Sequence, residues 1–373
     1  MPKGKKNKGK FEHRRTEQPY SSDEDAGIDM TIDNCSETSG QSDLKSIHDE
    51  ADNEILEKLE EKVLEDIDAL SARSNAARAA ALVSLRNALQ RRYLATVLAN
   101  QRATLADHIT RALRRGRDGE RKAAAAIAPL LALQIGEEGA EEFVREVRPA
   151  LAAAAVDKTA SLETRTECCT SLAALCFLLE EDLTEILEVM RMYETIFSGS
   201  YLKGDGSVKV SGSAVEEGLL HAAALDGWAL LLTLLSPQHA HTLLHTQAPS
   251  FARLAELLEA CSVEVRMAAG GALAIAHERI TDPETDVTTP QYVEVILPRL
   301  EQLARDSHKY RAKRDRKIQR ATFRDILKYF EEEEAPALSV RVGGEHLQNT
   351  AACKARTLAR NKSRDKRSAA LAL

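Results

Sequence analysis

From about residue 52 to residue 305, small and apolar residues recur at spacings of three and four, the period of a helix with one buried face. The pattern itself then repeats. Arg78-Ala-Ala-Ala-Leu-Val-Ser-Leu, Arg121-Lys-Ala-Ala-Ala-Ala-Ile-Ala, Arg165-Thr-Glu-Cys-Cys-Thr-Ser-Leu, His221-Ala-Ala-Ala-Leu-Asp-Gly-Trp and Arg266-Met-Ala-Ala-Gly-Gly-Ala-Leu align in one register, at offsets of 43, 44, 56 and 45 residues. Three of these offsets lie in the roughly 40 to 47 residue period of armadillo and HEAT units, in which each helical repeat covers its neighbour's apolar face. The long one has a visible source in the Gly/Ser/Lys segment 198–213, an inserted loop. The position after the basic residue is small in each copy, so neighbouring helices approach closely there, and packing is the expected role of the motif.

Punctuation agrees with this period. Gly116 and Gly119 separate the first two units, Gly136 and Gly139 end a helix, and Pro149, Pro237, Pro249, Pro283, Pro290 and Pro298 fall near inferred boundaries or kinks. Pro129 lies inside an Ala-rich helix and argues against a straight one. The expected fold is all-α: an armadillo/HEAT-like α-solenoid over residues 52–305, with a disordered leader over 1–51 and a basic tail.

Composition supports helix, because Ala and Leu dominate the middle of the chain and aromatics make up only 4%. The chain has 373 residues, and no uncharged apolar run reaches the roughly 18 to 20 residues that span a bilayer. The expectation is a soluble intracellular protein, cytoplasmic and nuclear, with no membrane partner. Cys35, Cys168, Cys169, Cys176, Cys261 and Cys353 include no C-x-x-C pair, and reduced, packed thiols are the reading.

Charge changes the picture at the two ends. The formal net charge is −7, yet residues 1–20 carry Lys3, Lys5, Lys6, Lys8 and Lys10, with Arg14 and Arg15 behind them. Such a segment serves nuclear entry, a loose nucleic-acid contact, or solubility alone. Residues 21–50 reverse the sign around Ser21-Ser-Asp-Glu-Asp, and Ser21 and Ser22 stand in a context that acid-directed kinases favour.

The strongest asymmetry is in residues 306–330. Between Lys309 and Arg320, seven cations face one acid, Asp315, and this points to an anionic partner. Ile318, Thr322, Phe323, Ile326, Leu327 and Phe330 then fall at spacings of three, four and seven. The expectation is a helix docked by residues 318–330, its cationic half held out from the folded body. Lys309, Tyr310, Arg311, Lys313, Arg314, Arg316, Lys317, Arg320 and Arg324 are the candidate nucleic-acid or ribosome contacts, with phosphates as targets and Tyr310 as the one stacking candidate. Beyond Glu331-Glu-Glu-Glu and Pro336, the segment to residue 373 is basic, either a disordered tail or a helix that orders on an anionic surface.

Sites for catalysis are not evident. Gly199, Gly204, Gly206 and Gly212 match no phosphate-binding spacing, and G-x-S-x-G is absent. His239, His241 and His245 cluster without the Glu of H-E-x-x-H, and Glu180-Glu-Asp182 point in different directions on a helix. Gly270-Gly271 suits close helix contact. No cofactor, metal or small-molecule substrate is expected, and the chain is read as a non-enzyme.

Residues 306–329, Asp-Ser-His-Lys-Tyr-Arg-Ala-Lys-Arg-Asp-Arg-Lys-Ile-Gln-Arg-Ala-Thr-Phe-Arg-Asp-Ile-Leu-Lys-Tyr, resemble the box that follows the helical repeats of the interferon-related developmental regulators. Glu57-Lys-Leu-Glu-Glu-Lys62, Ala224-Leu-Asp-Gly-Trp-Ala-Leu-Leu-Leu-Thr233 and the acidic leader add to the resemblance, which covers roughly residues 20–330. It implies an armadillo-type domain and a regulator: either a factor bound to idle ribosomes or ribosomal RNA that tunes translation, or a nuclear transcriptional co-regulator scaffolding chromatin-regulator proteins. His346-Leu-Gln-Asn349 echoes the family's C-terminal region, and the tail is then expected to depart from it.

Overall fold

The computed structural model describes residues 42–135, 140–179, 182–247, 249–281, 291–305 and 313–332, with side chains from residue 56 onward in the first helix and from 316 in the last. The chain divides into two compact units, Met1–Asn53 and Glu54–Leu373. In the first, the described part is the start of helix α1 (Ser42–Ala69). All the regular structure among the described residues is helical.

In the second unit the helices form two layers. The inner layer is α2 (Asn75–Leu89), α5 (Asp118–Ile135), α7 (Leu162–Leu179), α10 (Gly218–Leu232), α13 (Val263–Ile280) and α15 (Lys313–Glu332), each packed on the next. The second layer contains α4 (Arg102–Arg115), α6 (Ala140–Val156), α8 (Leu183–Phe197) and α14 (Gln291–Arg305). Short helices α3 (Ala95–Leu98), α9 (Ser213–Glu216), α11 (Pro237–Thr246) and α12 (Phe251–Glu256) complete it. This is an α-solenoid, and one hydrophobic core runs through it from Val63 to Ile326. The five aligned motifs all fall on the inner layer, at the N-terminal ends of α2, α5, α7, α10 and α13.

The basic residue that opens each motif does more than mark a packing register. Arg165, on α7, donates from Nε to the Ala155 carbonyl at 3.0 Å, where α6 ends, and from Nη1 to Glu217 Oε1 at 3.1 Å, just before α10. Arg78 does the same between the Ala72 carbonyl after α1 (2.8 Å) and Glu120 on α5 (2.6 and 2.9 Å). Arg121 joins the Arg114 carbonyl in the last turn of α4 (3.3 Å) to Asp157 before α7 (2.7 Å). Arg266 joins the Ala260 carbonyl after α12 (2.6 Å) to Gln319 on α15 (2.9 Å). Carbonyls at a helix C-terminus lack intrahelical partners and carry the negative end of the helix dipole. One guanidinium satisfies them and reaches across to the next repeat, so each arginine ties three helices together. At the fourth position His221 replaces arginine: Ser200 Oγ lies 2.7 Å from its Nδ1, and burial holds its pKa below the usual histidine value, although Glu217 opposes the shift. The motif is therefore a ladder of rungs.

The inserted segment stands next to that exceptional rung. A 3-10 turn at Ser198–Ser200 leads into residues without helix up to α9, and Gly206 and Gly212 there take φ of 76° and 72°, which glycine adopts without strain. Gly199 is required for a different reason: a Cβ there would lie 2.7 Å from the His221 ring.

One expectation changes. Pro149 and Pro298 mark no boundary, since each lies well inside a helix, α6 and α14 respectively, and α5 likewise continues through Pro129. A proline forfeits one backbone bond, and the surrounding burial of Val147, Ala150, Leu151, Ile296 and Leu300 outweighs that cost of about 3 kcal/mol. Gly136, Gly139, Pro283 and Pro290 lie outside the described residues. Cys168, Cys169 and Cys176 are buried, and burial pushes the thiols of Cys168 and Cys169 up to about 12, which leaves them as packing groups. Cys35 and Cys353 fall outside the described residues.

Candidate anion-binding helix

α15 is the last inner-layer helix among the described residues and packs on α13 and α14. Its buried face repeats at three and four: Gln319 (2% exposed), Phe323 (0%) and Ile326 (9%), continued by half-buried Phe330. Phe323 and Ile326 seat over Gly270 of α13, where an added Cβ would lie 3.0 Å from Phe323 Cε1 and 2.7 Å from Ile326 Cδ1. The Gly270-Gly271 pair thus has one member at a helix contact, for a Cβ at Gly271 would meet nothing within 4 Å. Gly270→Val is expected to loosen α15 by about 1–3 kcal/mol through overpacking. Hydrogen exchange of the amides of residues 318–330 reads this directly, and unchanged protection would contradict the seating described.

Two corrections to the expected anchor follow. Ile318 does not belong to it, being 44% exposed on another face. Gln319 does belong, accepting from Arg266 Nη2 at 2.9 Å and donating to the Leu303 carbonyl at 3.4 Å. The signal for Gln319 was its place four residues before Phe323 on the apolar face, masked by its polar side chain. Of the cationic half before residue 318, Arg316 and Lys317 have described side chains, the first half-buried and the second exposed.

Positions 313, 317, 320, 324 and 328 are separated by four, three, four and four residues, and so line up on one face of α15. Lys317 and Arg324 are exposed, and Arg316 and Arg320 half-buried, with Arg320 Nε donating to the Arg316 carbonyl at 3.2 Å. None of these four makes an ion pair with a described carboxylate, whereas most arginines of the ladder do. Lys328, not among the expected contacts, continues the row and pairs with Glu332 at 3.7 Å. Lys313 and Arg314 belong to the first turn of α15, and Lys309, Tyr310 and Arg311 lie outside the described residues.

The remaining candidates have structural roles. Asp182 caps α8, accepting from the Thr184 amide at 2.8 Å. His241 and His245 stack with ring centroids 4.2 Å apart on α11, and His239 is bonded to Ser236 at 2.8 Å. Among the described residues no group of three His, Cys, Asp or Glu side chains is placed to hold a metal ion.

Fold and site together define a class, a helical-repeat protein whose described array closes on a helix with one buried face and a row of cations on another. Residues 34–331 match the family model "Interferon-related developmental regulator (IFRD)", and residues 332–368 match the "Interferon-related protein conserved region". The chain belongs to the interferon-related developmental regulator family. It is 36% identical over 341 residues to interferon-related developmental regulator 1 of Mus musculus, covering 89% of this chain and 73% of the relative. To the Homo sapiens protein of that name it is 34% identical over 343 residues, covering 90% and 73%. To interferon-related developmental regulator 2 of Mus musculus it is 38% identical over 292 residues, covering 78% and 65%. The family is named for regulation, with no catalytic family matched.

The second match overturns one expectation. The tail does not leave the family after Asn349, because the conserved region continues to residue 368. Residues 350–368 are basic and hold Leu358 as their one large aliphatic residue, so they offer no hydrophobic period to recognise them by.

Proposed function

We propose that this protein is a non-catalytic regulator that binds ribosomal RNA through the cationic row of α15 and thereby tunes translation. The observation that carries the reading is the combination at one helix: Arg316, Lys317, Arg320 and Arg324 make no ion pair with a described carboxylate, and Gln319, Phe323 and Ile326 fix the same turns to the core. A cation on a pinned helix loses little further freedom when it meets a phosphate, so contact is made at low entropic cost. The row from position 313 to 324 spans roughly 16 Å of helix at 1.5 Å per residue, enough to follow several phosphates of one strand. In a chain of net charge −7 such a row also sets the orientation of approach.

Phosphate contacts supply affinity and salt dependence without reading sequence. Replacing Arg316, Lys317, Arg320 and Arg324 together by glutamate is expected to lower co-sedimentation with ribosomal subunits at least tenfold. It should also flatten the salt dependence by roughly three units of log K against log salt. Circular dichroism of the variant keeps the helical signal, since none of the four is buried. Co-sedimentation equal to that of the unmodified protein would remove the proposal.

A further inference from the structure

The inner layer has a second feature, on a face of α15 that the cationic row does not use. Between α7, α10, α13 and the first turns of α15 lies an open groove of about 690 Å³, within the roughly 300–1,000 Å³ of ligand clefts. Its walls are small or apolar: Ala174 on α7, Leu219 and Leu230 on α10, Met267 on α13 and Ile318 on α15. Leu219 is 66% exposed there, so a large aliphatic side chain is left in water beside exposed Ile318. Thr166, Thr170 and Thr322 add hydroxyls, and no lysine, arginine or histidine lines it among the described residues.

The groove's charged groups are carboxylates. Glu264 accepts from Ser262 Oγ at 2.6 Å. Asp226 has no described hydrogen-bond or ion-pair partner and is solvent-exposed, at the rim of the groove that Ala222, Ala223, Gly227 and Leu230 of its own helix also line. That apolar setting pushes its carboxyl up to about 6, with burial as the cause. A carboxylate without a partner at the rim of an apolar groove is available to a cation that enters it.

We propose that this groove docks a peptide segment of a partner protein that carries one arginine or lysine flanked by aliphatic residues, with Asp226 receiving the cation. Charge complementarity selects this occupant. Two carboxylates without a lining cation repel a phosphate backbone, whereas a guanidinium or ammonium meets Asp226 and leaves its aliphatic neighbours to cover Leu219, Met267 and Ile318. Gly227 contributes by its size: a Cβ there would lie 3.1 Å from Ala173 Cβ and from the Tyr193 ring, so α10 seats close to α7 under the groove. The inference goes beyond the ribosomal reading and stands whether or not that reading does.

Fluorescence anisotropy of the full-length chain with a labelled Ser-Ala-Leu-Ala-Arg-Ala-Leu-Ala-Ser peptide, and with its glutamate counterpart, tests the assignment. The arginine peptide is expected to bind at least tenfold more tightly than the glutamate peptide. Asp226→Asn should abolish that preference while leaving Tm unchanged; a merely structural aspartate would lower Tm on substitution and leave the preference intact. Thr170→Trp, which fills the groove without altering charge, should abolish binding of the arginine peptide. Equal affinity for the two peptides, no binding of the arginine peptide at millimolar concentration, or a preference that survives Asp226→Asn would each overturn the proposal. So would efficient bismaleimide cross-linking of Ile318→Cys to Cys353 within one chain, since the chain's own tail would then occupy the groove. A dimer dissolved by Thr170→Trp would assign the groove to a second copy and overturn it likewise.

Discussion

Arg165→Ala is expected to lower the stability of the solenoid by about 3–5 kcal/mol, the cost of breaking a buried charged pair by removing one member. The side chain is 7% exposed, and its loss leaves the Ala155 carbonyl without this donor and Glu217 with only His221 Nε2, at 3.5 Å, beside it. At about 2–4 °C per kcal/mol for a domain of this size, Tm should fall by roughly 6 °C or more. Because the rung joins α6 and α7 to α10, melting is also expected to separate into two transitions as the arrays on either side uncouple. Arg165→Met should cost less, since it keeps the packing volume. If Arg165→Ala and Arg165→Met melted together within 1 °C of the unmodified protein, the rung would be a contact without energetic weight.

Phe323→Ala is expected to have an effect of similar size but a different distribution. Truncating a fully buried phenylalanine typically costs about 3–5 kcal/mol through lost transfer energy and the cavity left behind. Phe323 is 0% exposed and sits at the end of the array, where α15 covers the exposed side of α13. End repeats have one neighbour instead of two, so the loss should appear as local opening of α15 with little change in the melting of α5 and α7. Hydrogen exchange resolves the two. Global acceleration, equal in α5 and α15, would show that α15 is not a separable cap. Under the ribosomal-RNA proposal the same variant distinguishes charge from orientation: all cations remain, so weak salt-sensitive binding is expected to persist while the advantage of a pinned row is lost.

Much of this fold is visible in the residues. The helical period, the roughly 44-residue repeat and the loop at 198–213 follow from composition and spacing, because stacking demands small residues at one register in every unit. The identity of the residue before them was equally visible, but its role was not. Packing explains an alanine locally, whereas a rung such as Arg78 to Glu120 joins residues 42 apart and depends on where a neighbouring helix ends. Prolines 149 and 298 misled for a related reason, since tertiary burial overrides a local breaker. At the candidate site the cations were legible as a run, and their alignment into one row required the register fixed by Phe323. Gln319 escaped because a buried amide looks polar in sequence, and its partner is a buried arginine 53 residues away. Asp226 reads as one more polar residue in a helix; the groove it borders is formed by residues of α7, α10, α13 and α15, which only the packing brings together.

The ladder has a consequence for how such a chain can change length. Two rungs are closed by an acid that stands just before the next rung's basic residue: Glu120, which closes the Arg78 rung, stands before Arg121, and Glu217, which closes the Arg165 rung, stands one turn before His221. A deletion that joined Glu120 directly to Arg165 would therefore excise one whole repeat and leave the Arg78–Glu120 and Arg165–Glu217 pairs intact on either side of the junction. The cut points that preserve the electrostatics lie inside the first turns of helices, away from the loops where chain editing is usually sought. Growth and loss of repeats in this architecture are thus governed by charge bookkeeping at helix starts.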